Sequence, residues 1–143
     1  FHNRGAGFSL KKGHPNELAG GKRPLHTIIP GFLKKKNEFT MPFGVMGGQY
    51  QANGHARLIS NIIDYGMDIQ TAIDFPRSFP EAGHLKLEDG YSSSIAAELK
   101  NKGHNILRPD NPIGGAQAIT FNHVTGTLTG GSDPRKDGCA LGY

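Results

Sequence analysis

The stretch Gly44-Val45-Met46-Gly47-Gly48-Gln49 has the residue types and order of a backbone site that could bind an anion. It follows a run rich in β-forming residues, Glu38 to Phe43, and precedes a segment, Arg57 to Tyr65, with the apolar spacing of a helix. Paired glycines let the backbone bend and approach a ligand, and the unpaired N–H groups that begin a helix carry partial positive charge. Such a corner can hold a phosphate or the oxyanion of an acyl-transfer intermediate, and it is equally compatible with a tight turn that binds nothing.

The elements that would position this corner are predicted from periodicity, caps and turn residues. Before the corner, Leu25–Ile29 and Glu38–Val45 are predicted to be antiparallel strands joined by the polar link Lys34 to Asn37. After the corner, apolar residues at helical spacing predict a one-sided helix, with Asn53 as its N-cap and Gly66 at its end.

The second half of the chain is predicted to hold two more helices and four more strands. Asp68 is a typical N-cap for a helix over Ile69–Phe75, and the stretch Ser92 to Ser94 is expected to cap a helix over Ile95–Lys102. The predicted strands are His84–Leu87, Asn105–Arg108, Ala116–Asn122 and Thr127–Gly130, of which the last two form a hairpin. This mixture of hairpin strands and a few helices predicts an α+β fold.

The length and composition fit one globular domain that is not complete as a folding unit. The chain has 143 residues, of which 21 are glycines, and its apolar content is ordinary for a folded protein. Several predicted strands show little polar alternation, which favours a sheet covered on both faces. The predicted helices are too few to cover both faces, so we expect the chain to pack on a partner.

The charge and the remaining residue types exclude several function classes. Residues 1–36 carry a net charge of +7 and residues 37–143 carry −3, so the basic end could face an acidic partner, an anionic substrate or nucleic acid. Aromatic residues are not interleaved with the lysines, which disfavours nucleic acid. The single cysteine, the scattered histidines and the lack of a long apolar run predict no metal, no cofactor and no membrane segment. The compartment stays open between cytoplasmic and periplasmic or secreted.

Six short motifs occur in a fixed order along the chain. They are Lys22-Arg23-Pro24-Leu25, Gly47-Gly48, Ile62-Ile63-Asp64-Tyr65-Gly66, Ala72 to Arg77, Gly103-His104, and Asp133-Pro134-Arg135 with Gly142-Tyr143. Their order and spacing resemble the C-terminal part of the small subunit of gamma-glutamyltranspeptidases, which are N-terminal-nucleophile hydrolases. The resemblance covers residues 1–143 as a single domain. It implies that this chain forms part of a four-layer αββα sandwich, which two chains build together after a proenzyme cuts itself.

The resemblance also implies a mechanism. In this family a new N-terminal threonine attacks a γ-glutamyl amide with its own amine as base and forms an acyl-enzyme. A Gly-Gly pair donates N–H groups to the oxyanion, and that pair matches Gly47 and Gly48. The threonine lies upstream of the segment that Phe1–Ser9 matches, so we expect this chain alone to be inactive. The implied partners are the upstream small-subunit segment, the large subunit and a small-molecule amide.

The substrate-binding residues depart from the family pattern. Two serines that hold the substrate α-carboxylate are replaced here by His26 and Thr27, and two residues that hold the α-amino group are replaced by Arg4 and Gly7. A site that has a guanidinium in place of a carboxylate is expected to bind an anion, such as the carboxylate of a glutaryl acyl group. In this respect the chain resembles the acylase-type members of the family. Three alternatives stay open: His26 packs in a strand, Arg4 forms a surface ion pair, or the chain is a non-catalytic binding or structural module.

Overall fold

The computed structural model describes residues 2–143 and has the α+β fold that the sequence predicts. Phe1, which the sequence places in an irregular N-terminal segment, lies outside the described residues. In chain order the elements are β1 (Gly31–Lys35), β2 (Phe39–Met46), α1 (Gln51–Ile63), α2 (Ile69–Asp74), β3 (Ser78–Glu81), β4 (His84–Leu87), α3 (Ser93–Asn101), β5 (Ile106–Leu107), β6 (Gly115–Asn122) and β7 (Leu128–Ser132).

The first hairpin is antiparallel as predicted, but its first strand lies later in the chain. Strand β1 pairs with β2 from Gly31↔Phe43 to Lys35↔Phe39, around a turn in which Asn37 has a φ of 60°. The predicted strand Leu25–Ile29 is wrong, because that segment is irregular and largely exposed. The tight turn fixes the register, and the segment that pairs with β2 is therefore the one directly before the turn.

The main sheet has the antiparallel order β1-β2-β6-β7 and buries one of its two faces. Met41, Phe43 and Val45 of β2 alternate with exposed or half-buried residues and share the buried face with Ala116 and Ala118 of β6. Helices α1 and α2 cover this face, and their apolar residues complete the core. Such a period of two is expected for a sheet with one face on a core.

The opposite face of the main sheet is apolar and open among residues 2–143. Phe32, Ile119 and Leu128 lie on it and are 68%, 50% and 71% exposed. The C-terminal tail, residues 138–143, approaches this face at Gln117 and Gly130. An exposed apolar patch on a sheet is typical of a surface that another element or chain covers.

Helix α1 begins three residues earlier than the sequence predicts, so the assignment of Asn53 as its N-cap is wrong. A 3-10 turn over Gly48–Tyr50 runs directly into the helix at Gln51, and Asn53 is an exposed residue inside it. The helix lies close to β2 at Gly54, where a Cβ would be 2.5 Å from Val45 Cγ1. The continuous 3-10 and helical backbone leaves no extended residue that could act as a cap at position 53.

Helix α2 begins at Ile69 as predicted, whereas α3 begins at Ser93, two residues before the predicted Ile95. The Asp68 carboxylate accepts a hydrogen bond from the Thr71 amide at 3.0 Å, and the Ser92 hydroxyl accepts one from the Ile95 amide at 3.3 Å. Each cap satisfies a backbone N–H that has no partner within its own helix. Among residues 2–143, no helix is both long enough and apolar enough to span a bilayer.

The second sheet has the order β3-β4-β5 and contains one strand that the sequence analysis missed. Strand β4 was predicted with its observed bounds, and β5 is shorter than predicted. Strand β3 contains Pro80, which argues against a strand because proline cannot donate to a ladder. Proline is tolerated here because β3 pairs on one side only, with β4, and forms an edge of the sheet.

Candidate active site

Gly47 and Gly48 form a sharp corner between the end of β2 and the start of α1. Both have left-handed backbone conformations, with a φ of 133° at Gly47 and 58° at Gly48. A Cβ on Gly47 would lie 2.9 Å from the Cα of Gly114, whereas a Cβ on Gly48 would meet no atom within 4 Å. Only glycine reaches such conformations without steric cost, and one side of the corner opens into free space.

The N–H groups of this corner are available to a ligand. Among residues 2–143, the amides of Gly47 and Gly48 donate no hydrogen bond, while their carbonyl oxygens accept from the amides of Tyr50 and Gln51. The carbonyl groups are therefore engaged in the start of the helix, and two successive N–H groups remain unpaired. Unpaired N–H groups at a helix start attract negative charge, so the corner is chemically able to stabilise an oxyanion.

The Tyr50 ring supports the corner from the core. Tyr50 is 3% exposed and packs edge-on against Phe79, with ring centroids 5.5 Å apart. Gly114 lies against the same ring, because a Cβ there would be 2.5 Å from Tyr50 Cδ1. The Arg77 guanidinium lies 5.8 Å from the ring centroid, within cation–π distance. Burial raises the pKa of the Tyr50 hydroxyl, which keeps it neutral.

A fully buried ion pair lies beneath Tyr50. The Arg77 guanidinium donates to the Asp133 carboxylate and to the carbonyl oxygens of Ile113 and Ile73. The same carboxylate accepts from the Ala116 amide at 2.7 Å. Burial alone raises the pKa of Asp133, but the Arg135 amide, Arg77 and the Ala116 amide outweigh burial, so the pKa lies below its usual value.

A second ion pair extends this network to the surface. Arg135 donates two hydrogen bonds to the Glu88 carboxylate, at 2.9 Å and 2.6 Å, and one to Asp133 at 3.3 Å. Glu88 also accepts from the amides of Arg77 and Ile113. Burial opposes ionisation of Glu88, but these donors lower its pKa below the usual value. The Asp133-Pro134-Arg135 motif is therefore a turn that these ion pairs hold in place.

A cavity of about 410 Å³ opens beside the corner and brings together four of the six residues predicted from the sequence. Gly47, Gly48, Arg4 and Thr27 all line this cavity. The Thr27 hydroxyl is buried and has no hydrogen-bond partner among residues 2–143. The roles assigned to these residues stay predictions, but their positions permit a shared ligand.

The remaining predicted residues lie outside this cavity. His26 is exposed and absent from the cavity lining, and Gly7 is exposed as well. The segment Leu25–Ile29 is irregular, so the side chains of His26 and Thr27 do not alternate between the two faces of a strand, and His26 does not pack in one. The segment from Thr27 to Pro30 therefore lines the cavity, and the His26 imidazole does not.

The family model described as gamma-glutamyltranspeptidase matches residues 1–143, which is the whole chain. This chain belongs to the gamma-glutamyltranspeptidase family. The resemblance inferred from the six motifs is therefore confirmed, and the Gly47–Gly48 corner belongs to a fold used by known enzymes.

Relatives in the family are longer than this chain. The oxamate amidohydrolase proenzyme of Klebsiella pneumoniae is 34% identical over 100% of this chain and 29% of its own length. The cephalosporin acylase of Bacillus halodurans has a TM-score of 0.82 and is 40% identical, over 98% of this chain and 27% of that one. An acivicin-inhibited gamma-glutamyltranspeptidase has a TM-score of 0.82 at 28% identity, over 95% of this chain and 80% of that one. The chain thus spans less than a third of the matched proenzyme.

Two glutamines line the cavity of this family member and were missed from the sequence. Gln51 is the first residue of α1, and Gln117 lies opposite Gly44 in the β2–β6 register. The position of Gln51 directly after the corner was a usable signal, because the first turn of a helix lies beside whatever binds at its start. Gln117 had no such signal, since the pairing of two distant strands depends on a register that the sequence does not reveal.

The buried network makes this family member sensitive to acid. The pKa values of Asp133 and Glu88 are lowered by folding, so their stabilisation is complete above the unfolded-state values of about 3.9 and 4.3. It is lost as the pH falls through the folded values. Asp133→Asn leaves the Arg77 charge buried without its partner, and we expect a loss of about 3–5 kcal/mol at pH 7.

The measurement is thermal unfolding of the full-length protein between pH 7 and about pH 2. The gap in Tm between wild type and Asp133→Asn is expected to narrow as the pH falls below about 3.9, because protons then bind the Asp133 carboxylate of the unfolded chain first and that of the folded chain only at lower pH. Glu38→Gln is the control, because Glu38 pairs with Lys35 on the surface and such pairs contribute about 0–1 kcal/mol. Equal Tm values for wild type and Asp133→Asn at pH 7 would contradict this account of the network.

Proposed function

We propose that this chain is the C-terminal part of the small, catalytic subunit of an amidohydrolase or acyltransferase. The observation that carries the proposal is the pair of unpaired amides at Gly47 and Gly48, which opens onto a cavity beside Arg4 and Thr27. In this proposal the substrate is a γ-glutamyl- or glutaryl-type amide. The Gly47 and Gly48 amides bind the oxyanion that forms on the substrate carbonyl.

The nucleophile is a threonine that precedes Phe1 in the longer protein and becomes N-terminal when the proenzyme cuts itself. Its hydroxyl oxygen bonds to the substrate carbonyl carbon, and its own α-amine receives the hydroxyl proton. The carbon–nitrogen bond then breaks, and the α-ammonium returns the proton to the leaving amine. Water or an acceptor amine attacks the acyl-enzyme in the second half of the reaction and releases the threonine.

The open face of the main sheet supports a two-chain enzyme. Phe32, Ile119 and Leu128 make this face apolar. The candidate cavity lies near the end of β2, where Gly44 and Gln117 are neighbours on the two inner strands. We propose that the upstream segment and the large subunit cover the face and complete a four-layer αββα sandwich. The names and lengths of the relatives support this, because proenzymes match over less than a third of their length.

The charges of the cavity favour an acyl group with a carboxylate and no free α-amino group. Among residues 2–143, Arg4 is the one cation that lines the cavity, and no carboxylate from this part of the chain lines it. A γ-glutamyl ammonium would therefore have no counter-ion there, whereas a glutaryl carboxylate would face the Arg4 guanidinium and the Thr27 hydroxyl. Oxamate, which is named for one relative, likewise carries a carboxylate and no amine.

Gly48→Ala tests the catalytic proposal. The new methyl group meets no protein atom within 4 Å and would extend into the space beside the two amides, where the oxyanion forms. Alanine keeps the N–H group, but its methyl group would keep the oxyanion from approaching the amides, so we expect kcat to fall by about 10²–10³, the loss that is typical of one missing oxyanion donor. The measurement is hydrolysis of a glutaryl anilide by the full-length protein, after mass spectrometry has shown that it is fully processed.

Gly126→Ala is the matched control for this experiment. Gly126 has a φ of 70°, close to the 58° of Gly48, and a Cβ there also meets nothing within 4 Å. Both variants therefore carry a similar left-handed strain of about 1–2 kcal/mol, but Gly126 lies in the β6–β7 turn away from the cavity. A kcat for Gly48→Ala within twofold of the control would show that the Gly47–Gly48 corner does not take part in catalysis. Absence of any acyl-enzyme in the wild type would favour the non-catalytic module.

Arg4→Ala tests the choice of acyl group. Hydrogen bonds to a charged group contribute about 1.5–3 kcal/mol, so we expect KM for glutaryl anilide to rise about 10- to 100-fold. The KM for γ-glutamyl anilide is expected to change little. Lys12→Ala removes the same charge from an exposed position outside the cavity and controls for long-range attraction. Turnover of γ-glutamyl anilide equal to or better than glutaryl anilide by the wild type would refute the assignment.

A further inference from the structure

Gln51 is a buried polar residue whose side chain has no partner among residues 2–143. It is 8% exposed, lines the candidate cavity and makes no side-chain hydrogen bond to any described residue. Its amide atoms are not among the polar atoms that are sealed from solvent without a partner, so the small exposed part of the residue includes the amide. Water satisfies such an amide in the free protein, and a ligand in the cavity would displace that water and take over its hydrogen bonds.

The backbone holds Gln51 in a fixed relation to the corner. Its N–H donates to the Gly48 carbonyl oxygen, and the residue begins α1, whose first turn is packed on Tyr50 and β2. The Gln51 side chain therefore lies within one turn of the Gly48 amide. A polar group so close to the corner is placed to contact atoms next to the substrate carbonyl, not the far end of the acyl chain.

The other polar groups of the cavity account for all but one part of the substrate. In the proposed function, the Gly47 and Gly48 amides bind the carbonyl oxygen, and Arg4 with Thr27 binds the terminal carboxylate. The scissile amide also has an N–H group, which is a donor and needs an acceptor when it is buried. A carboxamide side chain supplies such an acceptor without adding a charge.

The second glutamine is less suited to this role. Gln117 lines the cavity from β6, and its Nε2 atom packs against the tail, 3.1 Å from where a Cβ on Gly138 would be. Its position thus depends on the C-terminal tail, whereas Gln51 is fixed by the helix that also holds the corner. Gln51 is therefore the acceptor that remains nearest to the reacting group.

We propose that the Gln51 side-chain carbonyl accepts a hydrogen bond from the N–H of the scissile amide. Gln51 is then a specificity-determining residue that favours amides over esters with the same acyl group, because an ester has no such N–H. The inference rests on the proposed function, since it assumes that an acyl donor occupies the cavity. It adds to that function the class of leaving group that the site selects.

The test compares a glutaryl anilide with the matching glutaryl phenyl ester in the processed full-length protein. Gln51→Met keeps the length and volume of the side chain but removes the acceptor. We expect kcat/KM for the anilide to fall about tenfold and kcat/KM for the ester to change less than twofold. Gln49→Met is the matched control, because Gln49 is exposed, lies two residues away and does not line the cavity.

Two further readouts separate this role from a structural one. Tm of Gln51→Met is expected to stay close to that of the wild type, because the substitution keeps the side-chain volume and removes no hydrogen bond to residues 2–143. Gln51→Glu keeps acceptor oxygens in place and is expected to retain the preference for the anilide. An equal loss on anilide and ester, or a marked drop in Tm, would overturn the role of Gln51 alone. A wild type inactive on both substrates would overturn the proposed function and this inference with it.

Discussion

The buried ion pair between Arg77 and Asp133 is the interaction on which the geometry of the candidate site depends. It ties the end of α2 to the start of β6 and to the turn after β7, three segments that are far apart in the chain. In doing so it holds the backbone that leads into Gly114, against which Tyr50 and Gly47 pack. A buried ion pair contributes little net stability, but breaking it is costly. Its effect here is to fix one geometry for the glycine corner.

We propose that the candidate site is one part of a larger site. The corner and the cavity lie where β2 ends, beside an apolar sheet face that has no helix on it among residues 2–143. In the proposed function, the strand that leads to the Gly47 and Gly48 amides therefore belongs to a sheet that a second chain covers. A proenzyme that cuts itself and keeps both pieces together would supply both the nucleophile and the cover, because cleavage creates the nucleophile while this sheet stays packed on the other chain.

Local signals predicted much of the fold, and long-range pairing accounts for what they missed. The caps Asp68 and Ser92 were predictable because a cap needs only its own side chain and the next turn. The segment Leu25–Ile29 has the composition of a strand, but the turn that follows decided which residues pair. The glycine corner was visible from residue type and order alone. The contribution of Gln51 and Gln117 depends on which side chains meet across the cavity, and one sequence does not show that.

The central claim is that this chain belongs to an enzyme whose nucleophile is created by self-cleavage upstream of Phe1. The most direct measurement is the intact mass and N-terminal sequence of every polypeptide in the purified full-length gene product. The account predicts two chains, of which the smaller begins with threonine and contains residues 1–143. A single uncut chain, or a smaller chain that begins with a residue lacking a side-chain hydroxyl or thiol, would contradict it.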